Sequence, residues 1–147
     1  MDAGDVAGLE RRLGHHFHDP ALLQRALTHA SFANEHPPAA HHEALALLGD
    51  AALALIVAEH LLAADPEAPV GVLTPQRAAL VSGANLARWA ADLELGPRLR
   101  LGRGEEATGG RARESILATT LEAVLGAVYL DGGLDAARRI VARLAVW

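Results

Sequence analysis

HHEALALLGDAAL, residues 41–53, anchors the reading of the whole chain. Read as a helix, it sets Glu43, Ala46 and Asp50 at i, i+3 and i+7, so the three side chains share one face. The two carboxylates could face a shared metal or phosphate, yet the position between them carries only a methyl group. Asp50 follows Gly49, so a tight helix contact with local hydrogen bonding fits the same residues, and spacing alone leaves both open.

Outward from this stretch, residues 43 to 64 are alanine-rich and apolar nearly all round until His60, the pattern of a central buried helix. Upstream, residues 6–14 have helical spacing and stop at Gly14. Asp19-Pro20 then opens a helix that runs through ALLQRALTHASFA. The loop NEHPPAAHH (34–42) follows, where Pro37-Pro38 blocks helix. Downstream, DPEAPVG (65–71) is a turn, and Thr74-Pro75 reads as an N-cap with proline at the first helical position, opening a helix to about Leu93. Residues 95–114 form a loop rich in Gly, Arg and Glu, with one short turn around Leu99. Ser115 caps the next helix, which ends at Asp131-Gly132-Gly133, and LDAARRIVARLAVW is a last amphipathic helix. No segment reads as a strand. The expectation is an all-α fold of roughly six or seven helices around the central one.

The 147 residues form a single domain, 51% hydrophobic but only 3% aromatic. Every one of the 13 basic residues is arginine. Without cysteine, neither a disulfide framework nor a thiolate metal site is available. No secretory signal pattern opens the chain, and no apolar run reads as a membrane span, so a cytoplasmic location with no membrane partner is expected. A net charge of −5 argues against a general nucleic-acid binder. Contacts to RNA would have to come from local arginines and bound cations.

Inward-looking polar groups occur on a second apolar helix, where SILATTLEAVLGAVYLDGG places Thr119 and Glu122 at i and i+3. Carboxylates on two packed helices are a common way to hold a hard divalent cation. Clustered histidines (His15, His16 and His18; His41 and His42) read mainly as exposed loop residues, with His42 also a conceivable extra ligand, suited to zinc or manganese.

The order of these segments resembles the catalytic domain of ribonuclease III along the whole chain. LERRLGHHFHDPALLQRALTHASFANE is similar to the family's opening helices, and HHEALALLGDAAL to its signature HNERLEFLGDAVL. GVLTPQRAALVSGANLA, LRLGRGEEATGG and SILATTLEAVLGAVYLDGG follow in family order. The resemblance implies a homodimer of helical domains acting on double-stranded RNA, with acidic residues binding Mg²⁺ or Mn²⁺ to cut a phosphodiester into 5′-phosphate and 3′-hydroxyl ends. It also implies that the four acidic ligands fall on Ala46, Asp50, Thr119 and Glu122, so that two are replaced. Glu43 matches a glutamate that lies near the site. Leu47 replaces a phenylalanine that packs across the dimer interface.

Asp50 and Glu122 are therefore the expected metal ligands, and Asp50, Glu122 and Glu43 the expected catalytic residues. Arg100, Arg103 and Arg111 are the expected RNA contacts. Losing two direct ligands should cost at least roughly 10²–10⁴-fold in activity. The leading expectation is a dimeric, pseudoenzyme-like domain that binds structured RNA and cleaves it weakly or not at all, with a ribosomal or other protein partner conceivable. The alternatives are an active metal-dependent endoribonuclease and a protein-interaction dimer without an RNA role. The family's separate double-stranded-RNA-binding domain has no counterpart in this sequence.

Overall fold

A computed structural model describes residues 3–147. Among them are eight α-helices: α1 (Ala3–Leu13), α2 (Pro20–Ala26), α3 (Ala30–Glu35), α4 (Glu43–Ala64), α5 (Val70–Leu80), α6 (Gly83–Asp92), α7 (Arg103–Ala107) and α8 (Glu114–Ala145). Short 3₁₀ turns at Gly96–Arg98 and Gly110–Ala112 flank α7. The all-α expectation holds, with two of the expected helices each split in two.

The differences have local causes. Asp19 caps α2 as read, its side chain accepting from Ala21 N at 3.1 Å. That helix stops at Ala26 because the next residues pair with a distant segment: Arg100 N donates to Leu27 O at 2.8 Å and His29 N to Arg100 O at 3.0 Å. The chain then restarts as α3, with the His29 ring accepting from Ser31 N. Thr74 is not a cap. The helix already begins at Val70 behind Pro69, and Pro75 sits inside it, where it forfeits one backbone hydrogen bond. A break at Val81–Ser82 separates α5 from α6, and the Ser82 hydroxyl caps the latter by accepting from Asn85 N at 3.2 Å. Ser115 likewise lies inside α8, which starts at Glu114. Gly133, at φ 82° and ψ −178°, divides α8 where the sequence placed a helix end.

The core is built on α4 and α8. Leu53 and Val57 of α4 meet Leu121, Val124, Leu125 and Val128 of α8, all fully buried. Burying a side chain of this size is favourable by about 1.5–3 kcal/mol. Trp89 of α6 closes one side. The central helix is not covered all round, however. Leu47 is 76% exposed, and Leu55 and Leu62 on the same side are about half exposed. Both α4 and α8 are long and apolar enough, by length and composition alone, to cross a membrane, which the sequence reading did not anticipate. Much of that apolar surface is used in packing the two helices together.

Candidate metal centre

Two glycines fix the crossing of α4 and α8. A Cβ on Gly49 would lie 1.6 Å from the carbonyl oxygen of Glu122, and one on Gly126 would lie 2.1 Å from that of Leu45. Backbone meets backbone at this point, an approach open only to glycine. Asp50 directly follows the first glycine, and Glu122 supplies the carbonyl beneath it. The crossing thus brings the two carboxylates together, although they are 72 residues apart in the chain.

Asp50 is exposed and Glu122 half-buried. Burial pushes the Glu122 carboxyl up, and its hydrogen bond to Asp50 and the Asp50 charge push it further, to about 7. Near neutral pH Glu122 therefore keeps its proton in part of the population, hydrogen-bonded to Asp50. A divalent cation between the two would replace that proton and relieve the repulsion. The donor set is all oxygen, which fits Mg²⁺ or Mn²⁺ held by two carboxylates with water and substrate phosphate completing the sphere.

Around this pair, Ala46 is buried in the core and Thr119 is half-buried. Glu43 is exposed in the first turn of α4. Among the described residues, no group of three or more His, Asp or Glu side chains is arranged to hold a metal ion. His42 belongs to no such group. Its ring is buried, neither nitrogen has a hydrogen-bond partner, and it packs edge-on against His29 at 5.6 Å. Burial first, then the nearby His29 and His41, depress it to about 4.

The three arginines expected to meet RNA have different surroundings. Arg100 stacks over the Phe32 ring at 4.2 Å. Arg103 is almost fully exposed and pairs with Glu35 at 3.1 Å. Arg111 donates to the carbonyls of Gly96 at 3.1 Å and Leu99 at 2.6 Å and pairs with Glu106, which ties the 95–114 segment together. The histidines after α1 are not uniformly loose either. His15 is mostly buried and bonds Asp131 at 2.8 Å, whereas His16 and His18 are open to solvent. Trp147 stacks on His60 with ring centroids 3.6 Å apart.

The sequence profile of the family described as Ribonuclease-III-like matches residues 19–146. The chain belongs to this family.

Ribonuclease-III-like structures share its architecture closely. The nuclease domain of ribonuclease III from Campylobacter jejuni superposes with a TM-score of 0.89 at 39% identity, covering 95% of this chain and 94% of that one. That structure is described as showing flexibility in the region involved in dimer formation. Among curated relatives, Ribonuclease 3 of Symbiobacterium thermophilum is 48% identical over 97% of this chain and 60% of its own length. Ribonuclease 3 of Streptomyces coelicolor is 54% identical over 92% of this chain and 49% of its own length. The chain thus spans about half to three fifths of these relatives.

Proposed function

We propose that this domain is a metal-dependent endoribonuclease acting on double-stranded RNA, with one Mg²⁺ or Mn²⁺ held between Asp50 and Glu122. The observation that carries this reading is the hydrogen-bonded carboxylate pair at the Gly49–Gly126 crossing. The name Ribonuclease 3 on the curated relatives supports it. Bound there, the cation would supply Lewis-acid activation of water and charge neutralisation at the phosphate. The chain's own part is to present two oxygens at a fixed separation and to release the Glu122 proton as the metal enters. Arg103 and Arg100 stand along the segment that would meet the RNA backbone. A second copy of the chain would cover Leu47 and the open side of α4, whose exposed leucines support a dimer.

A second reading, RNA binding without cleavage, is favoured by one observation: Ala46 and Thr119 offer no carboxylate to a second cation. Cleavage of labelled duplex RNA with Mg²⁺ or Mn²⁺ separates the two, run beside Asp50→Ala and an Ala46→Glu/Thr119→Asp double variant. Slow metal-dependent turnover that vanishes in Asp50→Ala supports the nuclease. Turnover found only in the double variant supports the binding domain.

A further inference from the structure

We infer that α1 carries a phosphate-binding site, formed by Arg11, Arg12 and Arg98 over Gly4 and Gly8 and separate from the Asp50–Glu122 centre. These five residues line an open concavity of about 480 Å³. None of them belongs to α4 or α8. Gly4 and Gly8, one helical turn apart, leave bare backbone as its floor. Over that floor the guanidiniums converge: Arg98 Nη2 lies 3.4 Å and Arg11 Nη2 3.8 Å from where a Gly8 Cβ would be.

Among the described residues, the ion pairs around this concavity are shared unequally. Glu94 pairs with Arg12 at 3.1 Å and lies 3.7 Å from Arg98, so a single carboxylate serves two cations. Arg11 has no ion pair among the described residues. Asp5, in the first turn of α1, already has an interaction of its own. Arg98 is held rigidly: its side chain is 13% exposed, Nη1 donates to the Glu94 carbonyl at 2.9 Å, and the buried Nε has no partner. An anchored guanidinium loses little freedom when it binds, and its planar fork matches phosphate oxygens. Favourable placement at the C-terminal end of α1 accounts for Arg11 and Arg12 as ordinary surface residues. Arg98, anchored by Glu94, adds a third cation over the same glycine from the Gly96–Arg98 turn.

The ligand is a phosphate group, from an RNA backbone or from a free phosphate-bearing molecule. The test is a calorimetric titration of the whole chain with inorganic phosphate at low ionic strength, followed by duplex-RNA binding across a salt series. Gly8→Asp sets a carboxylate beside Arg98, while an Arg11→Gln/Arg12→Gln pair removes two donors from exposed positions. We expect one saturable phosphate site, weakened at least tenfold by either change and unaffected by Asp50→Ala, so its failure is distinct from failure of the nuclease reading. If the double variant also weakens RNA binding and lowers the salt slope by about 1–2, RNA supplies the phosphate. If phosphate binding is lost while RNA binding is unchanged or absent, a free molecule supplies it. No saturable phosphate site, or phosphate binding indifferent to both variants, overturns the proposal.

Discussion

The carbonyl oxygen of Glu122 lies where a side chain on Gly49 would begin, 1.6 Å from the ideal Cβ position. One contact thereby sets both the helix crossing and the separation of the two acidic side chains beside it.

Gly49→Ala should therefore act on fold and site together. A methyl group here meets backbone, which cannot rotate aside, so the destabilisation should reach or exceed the roughly 1–3 kcal/mol typical of overpacked cores. Gly71→Ala, in α5 with nothing within 4 Å of its Cβ position, should instead stabilise by roughly 0.5–1 kcal/mol. Urea denaturation of the two variants checks the contrast.

The raised Glu122 carboxyl gives the metal-free protein a defined pH response. Its folded value of about 7 lies above the ordinary 4.5, so between these values the folded state binds more protons than the unfolded chain. Stability from this group is full below about pH 4.5 and is lost as pH rises through about 7. Glu122→Gln should abolish that decline in denaturation midpoints measured from pH 5 to 8.

His42 responds in the opposite sense. Held down to about 4 in the folded state against an ordinary 6.5, it is protonated more readily in the unfolded chain. Its contribution is present above about pH 6.5 and is lost as pH falls toward about 4. His42→Asn should flatten the acid limb of the stability profile and leave the Glu122 limb in place.

Asp131 fastens the segment after α1 to α8. Burial works to raise its carboxyl, but the backbone N–H groups of His18 and Asp19, with the His15 and His18 rings, hold it down to about 2. Asp131→Asn leaves those donors facing a neutral amide, so a loss of about 1.5–3 kcal/mol is expected in chemical denaturation.

Much of this was legible in the sequence. Helical periodicity gave the all-α class, and Asp19-Pro20 marked the start of α2 because a cap and a first-turn proline act locally. The i, i+7 spacing put Glu43 and Asp50 on one face, and motif order identified the family. The break at Thr28 was not legible, because it comes from pairing with Arg100, 72 residues away. Thr74-Pro75 misled because the same dipeptide fits inside a helix that Pro69 has already started. At the site, Gly49 beside Asp50 was visible, but not that it and Gly126, one turn past Glu122, each face the other helix's backbone. The hydrogen bond between the two acids depends on that close approach, and the engagement of Arg111 with loop carbonyls depends on a fold of the 95–114 segment that local propensity does not encode.

If the Gly49–Gly126 crossing makes a centre for one divalent cation out of Asp50 and Glu122, an entering metal must displace the Glu122 proton. Calorimetric titration of the protein with Mn²⁺ near pH 7, in buffers of differing ionisation enthalpy, reads both the binding and the proton release. One site per chain, uptake accompanied by proton release, and loss of both in Glu122→Gln are expected. Two sites per chain, or binding that survives Glu122→Gln with no proton released, would contradict such a centre.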